Sequence, residues 1–263
     1  MLPDFVTQAF APQNWPTFVF VSARLGGLML AAPLWSLSTI PPQVRAAVTV
    51  VLALLLLPVT PRVELSGQVL DLPIPLVMEV VVGLAIGLTA AVLVQGVALA
   101  GEVVSLQMGL SIANILAPDP DLQVPALGQL KTIVALLIYV AVGGHLIMLQ
   151  GLAESLRVLP PGRPFDFVPG AGATMQLFGT LFSTAVRAGA PVMVTMLLAN
   201  SALALLSRAV PQLNAMMVGF PLTIGIGLLA AGASLPYVGA VISEWMRGLP
   251  NSVEVVLRSF EVR

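Results

Sequence analysis

Uncharged runs constrain this chain more than any other feature. Between Arg24 and Arg45 lie residues 25–44, and 46–61 follow before Arg62. Further runs without Asp, Glu, Lys or Arg cover 80–101, 103–118, 132–153, 167–186, 188–207 and 209–243. A bilayer-spanning helix needs about 20 mainly apolar residues, and several of these runs reach that length. Charged types make up 9% of the 263 residues, against about 25% in an ordinary soluble domain. A soluble fold would lack the polar surface to cover itself. The chain has no cysteine and one histidine, which excludes disulfides, thiolate nucleophiles and Cys- or His-rich metal sites. With eleven basic and twelve acidic side chains, it has no nucleic-acid-binding character. The composition is that of an all-α, polytopic membrane protein, and its long runs admit kinked helices and helical hairpins.

Prolines and polar clusters divide the runs. Helices are expected at about 14–32, ending near Pro33, and 43–57, entered through Pro41-Pro42. Others follow from near Pro75 to about 110, at 126–156, at 171–207 with Pro191 as a kink, and at 212–234. A less apolar last helix covers 237–260 and is loosened at Gly248-Leu249-Pro250. The third, fourth and fifth exceed one straight crossing, so they either protrude or bend back. The first apolar run reads as a retained helix, because Asp4 stands where a signal peptide needs positive charge. Loop charges are nearly balanced and set no orientation. One domain, 1–263, is expected, with N-terminal helices and an odd apolar segment in 1–125 and C-terminal helices in 126–263.

Polar groups inside apolar helices are the candidate functional residues. Glu102 sits in a strongly apolar context, with Gln95 seven residues earlier and Ser105 three later. The three read as one polar stripe. Glu102 marks either a helix end at the interface or a contact with a lumen or a neighbouring subunit. Gly83, Gly87, Ala91 and Gln95 recur every four residues, a seam for close helix packing and, in an assembly, for subunit contact. Asn200 and Ser207 share a face suited to hydrogen bonds between helices. His145 is either a packing residue or a proton-coupling group. Residues 107–125 open with Gln107, Met108 and Gly109, run through Leu110, Ile112, Ile115 and Leu116, and close on Pro118-Asp119-Pro120-Asp121. That is either a helix end with a turn or a re-entrant, pore-lining segment. No nucleotide loop, catalytic motif or metal motif appears.

Residues 205–228, LLSRAVPQLNAMMVGFPLTIGIGL, carry the most specific pattern. Within them stand Arg208, Pro211, Gln212 and Asn214, then Gly219, Phe220 and Pro221. Arg24, Gly26, Pro33, Pro41 and Arg45 add an N-terminal pattern. Glu79, Gly83, Gly87, Glu102, Gln107 and Gly109 add a middle one, and Gly144, His145 and Ser155 a third. Together these resemble the flagellar biosynthetic protein FliR family, whose virulence-secretion counterpart is the SctT family.

The resemblance implies a core subunit of the type III protein export gate, packed in a helical assembly with FliP-like, FliQ-like and FlhB-like subunits. It implies a place in the bacterial inner membrane and the flagellar basal body, membrane lipids as surroundings, and unfolded exported proteins as substrates. No catalytic residue and no cofactor is implied. Gly109, Leu110, Ser111, Ile112, Ala113, Asn114, Ile115, Leu116 and Ala117 correspond to a plug that helps close the channel. Arg208, Pro211, Gln212, Asn214, Gly219, Phe220 and Pro221 would shape a helix junction and subunit contacts. The alternatives are an injectisome gate subunit and a proton-coupled small-solute transporter using Glu102 or His145.

Overall fold

The computed structural model describes residues 11–63, 72–109, 126–163, 167–210 and 215–261. Among them are seven α-helices: α1 (Trp15–Ala31), α2 (Pro42–Leu56), α3 (Pro73–Gln107), α4 (Ala126–Ala141), α5 (Gly144–Val158), α6 (Phe167–Ala209) and α7 (Ala215–Ser259). Proline sets several boundaries. Ala32, which precedes Pro33, is extended with ψ 133°, because the proline ring disfavours helical geometry in the residue before it. At α2, Pro42 occupies the first helical position, where a missing N–H costs nothing.

Two expected divisions are corrected. The helix expected at 126–156 breaks at Gly143, which takes φ 78°. That left-handed conformation is cheap only for glycine, and α5 starts afresh after it. The two helices expected at 212–234 and 237–260 are one, α7, running through Pro221, Pro236 and Pro250. α6 likewise continues through Pro191. Each proline removes one backbone hydrogen bond, a loss that flanking turns and neighbouring helices absorb in apolar surroundings.

Among the described residues, four helical stretches are long and apolar enough to cross a membrane: Pro42–Val59, Pro73–Gln107, Val168–Ala209 and Val218–Ser259. The pair Gln129–Ala141 and Gly144–Val158, bent by 61° at its break, has the length and apolar content of a fifth when taken together. The protein is therefore an all-α, multi-pass membrane protein. At 35 residues, α3 is about 52 Å long, well beyond a hydrocarbon core of about 30 Å.

The chain forms two compact units. The first comprises 1–92, 143–178 and 246–263; the second comprises 93–142 and 179–245. In the first unit α1 and α3 pack backbone to backbone. A Cβ on Gly83 would collide with Arg24 O and stand 2.9 Å from Leu28 N, and one on Gly87 would stand 2.8 Å from Ala31 Cβ. Gly27 answers from α1, where a Cβ would collide with Val80 O. In the second unit Val104, Met108, Val192, Met196 and Ala231 form a buried cluster with Ile224 and Ile226 against it.

Candidate functional site

In the second unit, the site is the stem from which the 110–117 segment departs. Helix α3 ends in a tight turn: Met108 N donates to Val104 O at 3.0 Å and Gly109 N to Leu106 O at 3.1 Å. Gly109 has φ 78°, the usual left-handed terminator just past a helix. The last carbonyls of a helix lack partners within it, and here other helices supply them. Asn200 Nδ2 of α6 donates to Gln107 O at 3.3 Å. The Thr223 hydroxyl of α7 lies 3.1 Å from Met108 O and equally far from Phe220 O, so its single proton serves one of them at a time.

Packing fixes the same point. The Met108 side chain is fully buried and fills the space over Gly227, where a Cβ would come within 2.5 Å of it. The Phe220 ring covers Gly109, leaving 2.8 Å to where a Cβ would stand. Two distant motifs of the sequence, Gln107-x-Gly109 and Gly219-Phe220-Pro221, therefore meet here through Gly109 and Phe220. Gly219 has nothing within 4 Å of a Cβ, and Pro221 is exposed. Leu110 through Ala117, and Pro211, Gln212 and Asn214, lie outside the described residues.

The other expected residues are dispersed. Gln95, Glu102 and Arg208 are exposed on this chain. The stripe expected of Gln95, Glu102 and Ser105 is split: Ser105 turns inward, and its hydroxyl donates to Gly101 O at 3.0 Å. Gly83 and Gly87 lie in the first unit, their close approach being to α1 of the same chain. His145 is half-buried in α5, with Nδ1 lacking a hydrogen-bond partner.

Sequence reasoning missed a buried charge network in the first unit. Arg24 Nε donates to Glu79 Oε2 at 2.6 Å, and both side chains are enclosed, at 0% and 1% exposure. Arg24 Nη1 donates to Ser155 O at 2.8 Å and reaches Ser155 Oγ at 3.1 Å, while Nη2 donates to Leu159 O at 2.9 Å. Glu79 Oε1 accepts from Gly162 N at 3.0 Å. The network ties α1, α3, α5 and the following turn together. A signal was present: Arg24 and Glu79 are opposite charges beside apolar runs, and such charges must pair or face water.

Among the described residues no group of three or more His, Cys, Asp or Glu is placed to hold a metal ion. The stem offers backbone carbonyls, the Thr223 hydroxyl, the Asn200 amide and apolar packing. Those groups suit the holding of a chain segment.

Comparison with known proteins shows similarity to bacterial export proteins. The family described as Bacterial export proteins, family 1, matches residues 15–249. The chain is 30% identical over 233 residues to the flagellar biosynthetic protein FliR of Pectobacterium carotovorum, covering 86% of this chain and 87% of that protein. It is 30% identical over 224 residues to FliR of Bacillus subtilis, covering 82% and 84%. It is 29% identical over 230 residues to FliR of Escherichia coli, covering 85% and 84%.

Proposed function

The chain belongs to the FliR family of bacterial export proteins, and from that membership we propose that it is a core subunit of a flagellar type III export gate in the inner membrane. In this role it lines and helps close the channel through which unfolded proteins leave. The observation that carries the closing role is the anchored stem: α3 ends at a left-handed glycine, its terminal carbonyls are held by α6 and α7, and the chain continues directly into the apolar residues 110–117. A segment held firmly at its root can present Leu110, Ile112, Ile115 and Leu116 to a narrow lumen and exclude ions by dewetting.

FliP-like, FliQ-like and FlhB-like subunits are the partners in this reading, and the basal body is its place. The chain takes no catalytic part, and export is driven by energy supplied elsewhere. The flagellar branch is favoured over the injectisome by the relatives above, each named as flagellar.

The test is leakage. Deleting residues 110–114, or replacing Leu110 and Ile112 with serine, will make membranes holding the assembled gate leak small ions while export persists. Unchanged leakage at matched amounts of assembled complex would remove the plug role. Loss of assembly with tight remaining complexes would assign the segment to structure.

A further inference from the structure

In the first unit a cleft of about 480 Å³ opens beside α1 and α2, lined by Gly26, Met29, Leu30, Arg45, Val50 and Val80 among others. We infer that this cleft is a phospholipid site, with the phosphate on Arg45 and an acyl chain along the apolar floor.

Among the described residues, Arg45 supplies the only charge lining the cleft. Its guanidinium is held in place from one end, where Nη2 donates to Leu37 O. Its Nε is buried and has no hydrogen-bond partner. Arg45 as a whole is only partly buried and lines the cleft, so an anion there meets a guanidinium with donors that Leu37 does not use. A phosphate, with several strong acceptor oxygens, matches the planar donor set of arginine. The position within α2 agrees. The membrane-competent stretch begins at Pro42, and Arg45 stands three residues on, about 4.5 Å along the axis. This is the first turn, where the helix macrodipole favours an anion. A cation at the end of a span lies at headgroup depth.

The rest of the lining excludes a soluble anion as the preferred occupant. Away from Arg45 the walls are apolar apart from Thr49, whose hydroxyl is already used on Arg45 O at 2.8 Å. At Gly26 the floor is open: a Cβ there would meet nothing within 4 Å. An apolar slot that ends in one cation fits a molecule with an acyl chain and a phosphate. The inference rests on the chain being a membrane protein and is independent of the export reading.

The experiment is native mass spectrometry of the detergent-purified chain titrated with dioleoylphosphatidylglycerol, dioleoylglycerol or inorganic phosphate. The wild type is expected to retain one phosphatidylglycerol, to hold dioleoylglycerol more weakly, and to keep its lipid in excess inorganic phosphate. Arg45→Gln removes a charge-assisted contact and is expected to weaken retention about tenfold. A Cβ at position 26 meets nothing within 4 Å, so Gly26→Leu is expected to enter the slot and reduce retention with little change in thermal unfolding. If Arg45→Gln does not fold, Gly26→Leu decides alone. Equal retention by wild type and Gly26→Leu would overturn the proposal, as would displacement by inorganic phosphate. A photo-crosslinker at position 26 that captures a protein instead of lipid in native membranes would also overturn it, by making the cleft a subunit contact.

Discussion

The Arg24–Glu79 pair shows how a single contact governs a large part of this fold. Both groups are cut off from water, and their donors and acceptors are met by each other, Ser155, Leu159 and Gly162. Removing one member of a buried pair leaves the other charge uncompensated and costs about 3–5 kcal/mol. Glu79→Leu or Arg24→Met is expected to cause that loss, read as lowered thermal stability of the purified protein. The double replacement is expected to recover only part of it, because Ser155, Leu159 and Gly162 keep unmet polar groups. Simple additivity of the two single effects would mean that the pair is not coupled. Glu102 presents the opposite case. It is exposed on this chain, so Glu102→Leu is expected to insert normally yet impair assembly or export. Glu102→Gln is expected to be milder, since it keeps hydrogen bonding. Wild-type export by both would assign Glu102 to an unimportant surface.

Among the helices, the glycine seam of α3 and the end of the same helix do different work. Gly83 and Gly87 let α3 lie directly on α1, so even a methyl group meets backbone. Gly83→Ala is expected to cost at least the 1–3 kcal/mol typical of overpacking, and Gly83→Leu with Gly87→Leu to prevent stable folding of the first unit. Gly232→Ala in α7, where a Cβ meets nothing within 4 Å, is the control and is expected to gain about 0.5–1 kcal/mol. Equal unfolding temperatures for Gly83→Ala and Gly232→Ala would contradict this packing. At its other end α3 relies on neighbours for its last carbonyls. Thr223→Val removes one such donor at a cost of about 1 kcal/mol. In the gate it is expected to raise ion leakage, by less than deletion of 110–114 does. Tight membranes with Thr223→Val would separate the stem from closure.

For the molecule as a whole, the distribution of apolar surface is the guide to its company. The apolar stretch of α3 is 56% buried within the chain, whereas those of α6 and α7 are 17% and 22% buried. α6 exposes Met175, Phe182, Leu197, Leu198 and Leu205, more apolar surface than a soluble monomer tolerates. Lipid or neighbouring subunits must cover it. Purification in mild detergent is expected to bring FliP-like, FliQ-like and FlhB-like proteins with this chain. Recovery of a stable homodimer that moves a small solute would sink the export-gate reading and favour a transporter.

The class of fold was readable because charge and proline act locally. A charge cannot enter hydrocarbon unpaired, and a proline restricts the residue before it, so charge-free runs and Pro33, Pro41 and Pro42 marked where α1 and α2 end and begin. The family was readable from Arg208 to Leu222 for a similar reason: a contiguous motif needs no folded context. Other features depend on what packs nearby. Gly143 breaks one expected helix, while Pro221, Pro236 and Pro250 fail to break another, because a lost hydrogen bond can be offset by surroundings that local spacing does not reveal. Ser105 turned inward although it stood beside Glu102 in the pattern. Arg24 and Glu79 are 55 residues apart, and Gly109 and Phe220 belong to separate motifs. Their pairing follows from which helices share a core, and that is a property of the folded chain, where burial makes each unpaired group too costly to leave alone.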